Sequence, residues 1–594
     1  MNATRRDRWT ELALFVLGFL ALLLTEKAAG FVRDESVYFS AGENHWRWFQ
    51  LLASSPRQAF TDEAITRSFS FNFEHPALMK NLFGLSFGIF HEKLGLFRPA
   101  AAFRLPAFFM GALALPFIYA LGRRYATRAV GLAAAVSFLL VPRQFFEAHL
   151  ACFDVPIATL WLTTVYFFWR SQETRWGWAF TGLSFGLALA AKHNAFFLPA
   201  VLVPFGLYRG WTASKDNPRA RTLFLQASAT FAFGAVLYGA LYAGLGPDRF
   251  LARWFFLSPQ TGLFLAMAAV GTGLCVRLYK TELATFRATS TLVAMAVGGP
   301  LVWYLHWPYL WHHPVERAAT YFAFHAKHEH YAWFYLGELL REPPFPWSYV
   351  VVKTALTVPT SLFVPMVLGL LAVTVAMVRR KASMLDVLIA ANAVASIAII
   401  SHPQVPHFGG VKHWFPAMPF LAILGAVSVW RGAQALSTWA GPRLPASAAF
   451  AGLCVLCAAP AAIASVRVYP YGTSHYSELA GGLPGAATLG MQRQFWANNV
   501  TGVLDWLNAN AKQGARVYFH ECHGGQINDY RRNKMVRDDL NFVGDSNSAD
   551  IVAYQYHQEF REHEFNVWQA FGTTKPAFGL YVDETPQVIV YVRP

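Results

Sequence analysis

Charge is scarce in this chain, and acidic charge is the scarcer kind. Of its 594 residues, 14% are Asp, Glu, Lys or Arg, and 34 acids stand against 49 Lys and Arg, which gives a net charge of +15. Hydrophobic residues make up 55% of the chain and aromatic residues 16%. A soluble protein of this length would be expected to divide into several ordinary domains, and this composition argues against that organisation.

Motifs for nucleic acids and nucleotides are also missing. The positive charge is not gathered into a basic patch with an RNA- or DNA-binding motif, so no nucleic-acid partner is expected. No nucleotide-binding fingerprint is present. The chain has five cysteines, and only Cys522 lies in the C-terminal part, which excludes a disulfide within that part.

Long apolar runs dominate what is present. Runs of about 20 residues have the length that spans a bilayer, and they predict a polytopic α-helical membrane protein with about 13 spans. The short apolar run at 81–97 is predicted to lie in the membrane interface, because His91, Glu92 and Lys93 interrupt it. The predicted spans are 12–29, 100–122, 127–146, 155–169, 176–191, 195–208, 223–245, 261–279, 288–308, 350–377, 384–400, 414–430 and 446–465.

The basic clusters between the spans predict the orientation. Lys and Arg are enriched in cytoplasmic loops, and Arg5, Arg6 and Arg8 precede the first span, so the N-terminus is expected inside the cell. Residues 1–465 then form a transmembrane domain whose first outer loop is 30–99. Residues 466–594 form a small α/β domain outside, with a helix at 500–511 and strands at 516–520 and 588–592.

Unusual polar residues collect in the loops predicted to lie outside. Asp34 and Glu35 follow the first span, and acids at a membrane boundary are costly unless they have a task. One interpretation is a solvated pair that caps a loop helix. The other is a general base that deprotonates an acceptor. Because only one of two adjacent acids on a helix can face a site, Asp34 is predicted as the base and Glu35 as its support.

Other outer-loop residues leave two interpretations open. Glu74 and His75 precede Pro76, as in a plain loop before a helix or as in a metal or phosphate site, with Lys80 about one turn further on. Asp154, before a predicted span, is either an N-cap or a site residue. Lys192, between two spans, is either an interfacial lysine or a partner for a phosphate.

The order of these motifs resembles the family 39 glycosyltransferases, which include the protein O-mannosyltransferases and the aminoarabinose transferases of lipid A. Residues 34–38 (DESVY) resemble the family's Asp-Glu motif, and residues 74–80 (EHPALMK) are similar to its His-Pro-Pro-Leu-x-Lys element. Residues 104–106 (RLP), 122–124 (GRR) and Asp154 follow in the family's order, and residues 412–419 (KHWFPAMP) resemble its Arg-Tyr-x-x-Pro-x-x-Pro segment. Ala77 and Lys412-His413 depart from the family pattern.

The resemblance implies a lipid-dependent glycosyltransferase fold of the C type in a membrane, with a bacterial inner membrane and a periplasmic C-terminal domain expected. It implies sugar transfer from a polyprenyl-phosphate donor to a protein hydroxyl, lipid or glycan on the outer face. Asp34, Glu35 and Asp154 would be catalytic, and Lys80, Lys192 and Lys412 would bind the donor phosphate.

A divalent metal (Mg, Mn or Zn) at Glu74 and His75 is an optional cofactor of this scheme. A polytopic transporter or flippase is an alternative function. A glycan ligase or polymerase that uses polyprenyl diphosphates is another.

Overall fold

The computed structural model describes residues 4–250, 259–557 and 560–594, which include every predicted site residue. It is mainly helical. The helices are α1 (Arg5–Thr25), α2 (Arg33–Ser54), α3 (Pro56–Ala59), α4 (Asp62–Phe69), α5 (Leu78–Ser86), α6 (Pro99–Tyr125), α7 (Arg128–Leu139), α8 (Pro142–Glu147), α9 (Asp154–Arg170), α10 (Gly177–Ala191), α11 (Leu198–Ala213), α12 (Pro218–Phe250), α13 (Pro259–Thr281), α14 (Leu283–Val293), α15 (Gly299–His306), α16 (Pro314–Ala326), α17 (Tyr349–Thr357), α18 (Thr360–Val378), α19 (Met384–Ile400), α20 (Met418–Ala440), α21 (Ala446–Val468), α22 (Gly482–Thr488), α23 (Leu504–Asn510), α24 (Gly524–Arg532) and α25 (Arg561–Phe571).

The helices confirm an integral membrane protein. Within the described residues, eight helical stretches are long and apolar enough to cross a bilayer, and three shorter apolar helices accompany them. Each predicted span lies on mostly helical residues, although eight stretches rather than about 13 have this length and hydropathy in the described residues. The eight long stretches are Arg5–Ala28, Pro99–Tyr125, Pro218–Ala240, Thr261–Thr281, Leu283–His306, Thr360–Val378, Gly410–Arg443 and Ala446–Val468.

Two predicted spans are interrupted by proline. The stretch predicted at 127–146 is two helices, α7 and α8, and α8 begins at Pro142. The stretch predicted at 350–377 is also divided, because α17 ends at Thr357 and Pro359 precedes α18. Proline lacks a backbone donor and disfavours helical geometry at the residue before it, so both runs stop there.

The outer loop predicted at 30–99 is largely helical. It contains α2, which begins with Arg33 and the two acids, and the shorter helices α3, α4 and α5. Helix α5 continues into a π-helical turn, Phe87–Lys93, so the run predicted at 81–97 is helical but is too short to cross a membrane as a regular span.

The C-terminal part is an α/β domain, as predicted. Its strands are β3 (Arg516–Phe519), β4 (Asn541–Phe542), β5 (Ile551–Gln555), β6 (Phe578–Val582) and β7 (Thr585–Val592), after a separate hairpin of β1 (Trp333–Tyr335) and β2 (Glu338–Leu340). The sheet order is β4-β3-β5-β7-β6. Strand β3 is parallel to β4 and β5, whereas β7 is antiparallel to β5 and β6. The helix predicted at 500–511 is a 3-10 turn followed by α23.

The chain divides into two compact units. The first contains residues 1–43, 82–155 and 329–594, and the second contains residues 44–81 and 156–328. The second unit has an aromatic core that includes Trp48, Phe69, Trp307 and Tyr321. In the first unit, Val552, Tyr554, Ile589 and Tyr591 form a core on one face of the sheet. The boundary at residue 465 between a membrane part and a soluble part stays a prediction.

Candidate active site

Glu35 is buried in the first unit, where it forms an ion pair with Arg104. Both carboxylate oxygens of Glu35 accept from the guanidinium, over 2.8 Å from Nε and 2.7 Å from Nη2. The backbone N–H of Ala151 also donates to Glu35 Oε1 over 2.9 Å. The side chains of Glu35 and Arg104 are 0% and 1% exposed. A carboxylate held in this way orders three segments of the chain, and it is not accessible to a substrate.

Asp34, by contrast, is partly open. It lies in the first turn of α2, where the helix dipole favours an acid. Successive helical residues point about 100° apart, so burial of Glu35 directs Asp34 elsewhere. The Nζ atom of Lys412 donates to Asp34 Oδ2 over 3.1 Å, and the Asp34 side chain is 28% exposed. This geometry supports the prediction that Asp34 is the base and Glu35 its support.

A tight turn that contains two glycines places Lys412 beside Asp34. Gly409 and Gly410 both have left-handed backbone angles, with φ of +72° and +70°. A Cβ added to Gly409 would lie 2.6 Å from Cε of Lys412, so a larger residue would displace the lysine. Lys412 is buried, and its aliphatic stem is therefore fixed while its ammonium faces the carboxylate.

Asp154 converges on the same place. It is buried at the start of α9 and interacts electrostatically with Lys412, as Asp34 does. The pKa of the Cys152 thiol reflects this convergence. Burial raises the pKa of its thiol, and the neighbouring charges of Asp34, Glu35 and Asp154 raise it further. The three predicted catalytic acids are thus gathered in one unit, although they come from two distant parts of the sequence.

The C-terminal domain braces the start of α2. Gln526 donates to the backbone carbonyl of Phe31 over 3.0 Å, and the hydroxyl of Tyr530 accepts from the Phe31 N–H over 3.2 Å. Arg33 forms an ion pair with Glu521 over 2.7 Å. The Ser36 hydroxyl donates to Asp529 Oδ2 over 2.6 Å. Because all these contacts surround Asp34 and Glu35 in the sequence, the α/β domain fixes the helix that presents the proposed base.

The contact between Ser36 and Asp529 should make the stability of the protein depend on pH. Burial raises the pKa of Asp529 to about 7, although the hydrogen bond from Ser36 opposes the shift. From about pH 4 to pH 7 the folded protein therefore holds a proton that the unfolded chain has lost, and stability falls as the pH rises through this window. Asp529→Asn cannot titrate, so we expect its apparent Tm to stay flat where the wild-type value declines by several °C, at roughly 2–4 °C per kcal/mol.

The measurement is thermal unfolding at a fixed scan rate between pH 5 and pH 8. Asp505→Asn, at an exposed acid of the same domain, is the matched control and should keep the wild-type slope. An Asp529→Asn protein with the wild-type pH dependence would show that another group is responsible.

The second unit contains the loop at residues 72–76, and Lys80 is hydrogen-bonded to the backbone of this loop. Lys80 is 0% exposed, and its Nζ donates to the backbone carbonyls of Asn72 and His75 over 2.5 and 2.7 Å. Burial lowers the pKa of Lys80 to about 7. The Asn72 amide donates to Glu74 Oε1 over 2.6 Å. Lys80 therefore has a structural task in this conformation, and its contact with a donor phosphate stays a prediction.

Lys192 lies beside a pair of stacked histidines in the same unit. It is buried, and it precedes His193, whose ring stacks on His325 at a centroid distance of 4.0 Å. Burial, with the charge of Lys192, lowers the pKa of His193 to about 4, and burial lowers that of His325 to about 3. His325 Nε2 lies 2.9 Å from the backbone carbonyl of Glu74. Both imidazoles are therefore neutral near pH 7. The role of Lys192 in phosphate binding also stays a prediction.

The predicted metal ligands do not form a recognisable centre. Within residues 4–250, 259–557 and 560–594, no three His, Cys, Asp or Glu side chains converge as metal ligands. Glu74 and His75 supply at most two donors, whereas zinc sites use three or four protein ligands. The divalent metal stays a prediction, and no step below uses it.

Two buried cations were missed by the sequence analysis. Arg143 donates to the backbone carbonyl of His475 from Nε and Nη2, over 3.2 and 3.0 Å. Lys353 donates to the Tyr476 hydroxyl and lies 4.8 Å from the centre of the Phe495 ring. The side chain of Arg143 also lies next to the glycine turn, since a Cβ on Gly410 would be 3.4 Å from Nη1. A lysine inside an apolar run, such as Lys353 at the start of the predicted span 350–377, was the available signal.

Comparisons with known proteins agree with the motifs. Residues 74–237 match the family model described as dolichyl-phosphate-mannose-protein mannosyltransferase. The matched segment includes Glu74, Lys80, Asp154 and Lys192. No curated protein matches the chain.

Several solved structures align with most of this chain. ArnT from Cupriavidus metallidurans in the apo state aligns over 99% of this chain and 98% of its own, with 13% identity and a TM-score of 0.45. The same protein bound to undecaprenyl phosphate aligns over 98% and 97%, with 13% identity and a TM-score of 0.43. The oligosaccharyltransferase AglB from Archaeoglobus fulgidus, in complex with an inhibitory peptide and a dolichol-phosphate, aligns over 90% of this chain and 60% of its own, with 15% identity and a TM-score of 0.45.

The family match confirms the resemblance predicted from the ordered motifs, since it falls on the segment that carries four of them. The chain is therefore an integral membrane protein whose residues 74–237 are similar to a mannosyltransferase family.

Proposed function

We propose that the protein transfers a sugar from a polyprenyl-phosphate donor to a protein, lipid or glycan acceptor, with Asp34 as the general base. The observation that carries this proposal is the contrast between two adjacent acids. Glu35 is fully buried against Arg104, whereas Asp34 is partly exposed and pairs with Lys412. A base must be reachable by the acceptor and must be ionised, and Asp34 meets both needs because the Lys412 ammonium favours its carboxylate form.

The reaction is a single displacement at the anomeric carbon. The acceptor oxygen or nitrogen forms the new bond to this carbon while the bond to the donor's phosphate oxygen breaks. Asp34 takes the proton that the acceptor loses, and the polyprenyl phosphate leaves with the bonding electrons. Such a displacement inverts the anomeric centre. Afterwards Asp34 returns its proton to water, and the site is ready for the next donor.

The leaving phosphate needs positive charge, and the first unit supplies it at the glycine turn. Lys412 is buried on one side of the turn, and Arg143 lies beside Gly410. Arg143 and Lys353 are both buried, and the charge of Glu147 acts on Arg143. Burial of a cation is costly, and a bound phosphate would offset part of that cost. Arg143 and Lys412 are therefore our candidates for phosphate ligands in this unit.

For the orientation, we propose a cytoplasmic N-terminus and an extracytoplasmic C-terminal domain, in a bacterial inner membrane. The alternation of basic clusters supports this arrangement. A reporter that is active only outside the cytoplasm should be active when fused after Pro594, and a cytoplasmic reporter should be silent there. The opposite pattern would move every proposed site residue to the wrong face.

The donor class is tested with purified protein in lipid nanodiscs. Three donors carrying the same sugar are compared: a polyprenyl phosphate, a polyprenyl diphosphate and a nucleotide. We expect transfer only from the first, because the sequence has no nucleotide-binding fingerprint and resembles monophosphate-dependent enzymes. Lys192→Ala should weaken use of that donor about tenfold, from the loss of one charge-assisted contact. Transfer from the nucleotide donor without a lipid carrier would overturn the donor assignment.

A further inference from the structure

A polar cavity lies in the C-terminal domain, at a place where α/β sheets commonly bind ligands. Its volume is about 560 Å³, within the range of ordinary ligand pockets. It is lined by Tyr518 and His520 at the end of β3, by residues 544–547 after β4, by Tyr554 of β5, and by one side of α25. Strands β3, β4 and β5 are parallel, and β4 and β5 lie on opposite sides of β3. The cavity is therefore at the carboxyl ends of strands where the connections diverge.

The floor of the cavity is aromatic. The rings of His520 and Tyr554 stack at a centroid distance of 4.8 Å and an angle of 17°, and His563 lies 5.0 Å from His520. Tyr554 is fully buried and His520 is 1% exposed. Because both rings are closed to solvent, they form a rigid floor, and contact with a ligand falls to the polar groups of the lining.

His520 is built as a neutral hydrogen-bonding group. Its Nδ1 lies 3.2 Å from the carbonyl of Gln555, so the proton belongs on Nδ1. Within the described residues, Nε2 has no hydrogen-bond partner although it is buried. Burial lowers the pKa of His520 to about 4, which keeps the ring neutral near pH 7. A buried, unpaired acceptor beside a cavity is costly unless a donor reaches it, and a ligand hydroxyl is such a donor.

The rim is polar and carries little charge. Asn547, Asn566 and Gln569 are exposed amides at the mouth, and Asp545 is the acid of the lining. Asp545 is already engaged, since it accepts from the backbone and the hydroxyl of Ser548 over 3.0 and 2.7 Å. The lining contains neither Lys nor Arg. Phosphates and nucleotides prefer cations, so this lining disfavours them and favours a neutral, hydroxyl-rich ligand.

We propose that this cavity is a carbohydrate-binding subsite that holds a neutral sugar residue of the acceptor. The inference rests on the proposed function for the identity of the acceptor, but sugar binding itself is independent of transfer. The subsite would hold a glycan or glycolipid by a sugar that does not react. It would therefore lower KM for glycan acceptors and leave kcat unchanged.

The test is saturation-transfer NMR on the full-length protein in lipid nanodiscs, because alkyl-glycoside detergents carry the ligand class themselves. The probes are methyl α-mannoside, methyl α-glucoside, methyl β-galactoside and N-acetylglucosamine, with glucose 1-phosphate as the anionic probe. We expect saturable binding of at least one neutral sugar. Asn566→Ala/Gln569→Ala, which removes two rim amides at exposed positions, should weaken it about tenfold, as two lost hydrogen bonds would.

Matched controls separate this site from the active site. Asn510→Ala/Gln513→Ala changes the same residue types at exposed positions of the same domain and should bind sugar normally. Asp34→Asn should also bind sugar normally while it fails to transfer, so loss of transfer and loss of this subsite are distinguishable. Absence of saturable binding for all four neutral sugars, binding only of glucose 1-phosphate, or unchanged binding in the Asn566→Ala/Gln569→Ala protein would each overturn the proposal.

Discussion

Replacing Asp34 by Asn should abolish nearly all transfer while the protein stays folded. Asparagine keeps the shape of the side chain and removes its basicity, so the acceptor loses the group that takes its proton. Positioned general bases contribute about 10²–10⁴-fold to rate, and we expect kcat to fall by about 100-fold or more. The measurement is initial rate with saturating polyprenyl-phosphate donor, together with the apparent Tm of the same preparation.

Stability should change little in this variant. The Asp34 side chain is partly exposed, and its ion pair with Lys412 is accordingly screened on one side. Glu43→Gln is the matched control, since Glu43 lies on the same helix, α2, and pairs with Arg532 in the same unit. The control should keep near-normal kcat. An Asp34→Asn protein with wild-type turnover and a normal Tm would remove Asp34 from the role of base.

Local sequence patterns were sufficient to predict much of the fold. The apolar runs have the length of membrane helices, and a helix stands at each of them. Enrichment in β-branched and aromatic residues was enough to predict β3 and most of β7. Two of the predicted spans were wrong in detail because of proline. The residues around Pro142 and Pro359 are apolar enough to be read as continuous spans, and hydropathy does not register the missing backbone donor.

The arrangement of the site depended on contacts that are distant in sequence. Helical geometry alone predicts that Asp34 and Glu35 point in different directions, but it does not say which one is buried. That choice is made by Arg104, which lies 69 residues from Glu35 in the chain. Arg143 and Lys353 were missed for the same reason, because their significance comes from burial next to residues 409–410 and 476. The bracing of α2 by Asp529 and Tyr530 involves separations of nearly 500 residues.

Changing the adjacent acid, Glu35, to Gln should lower the stability strongly and the activity per folded molecule only slightly, which is the opposite of Asp34→Asn. The variant loses the negative charge that compensates Arg104, and that guanidinium stays buried with Glu26 as its remaining acidic contact, over 3.3 Å. The amide of the Gln side chain would also point an N–H donor at the Arg104 guanidinium, which can only donate. Breaking a buried ion pair on one side costs about 3–5 kcal/mol, and we expect the apparent Tm to fall by roughly 10 °C.

Two further variants test whether the loss of stability comes from the buried pair of Glu35 and Arg104. Arg98→Gln removes the other arginine that pairs with Glu26, but Arg98 is 36% exposed, so the loss should stay within about 1 kcal/mol. Arg104→Lys keeps the charge without the two-pronged geometry and should fall between the wild type and Glu35→Gln. If Glu35→Gln gives too little folded protein to assay, Arg104→Lys supplies the measurement.

Activity per folded molecule then separates the two acids. Glu35 touches Arg104 and backbone groups rather than the open side of the site, so the Glu35→Gln protein that does fold should retain transfer within about tenfold of the wild type, since Asp34 and Lys412 remain. A Glu35→Gln protein with the wild-type Tm and no transfer would exchange the two roles. It would make Glu35 the base and leave Asp34 as a partner that holds Lys412 in place.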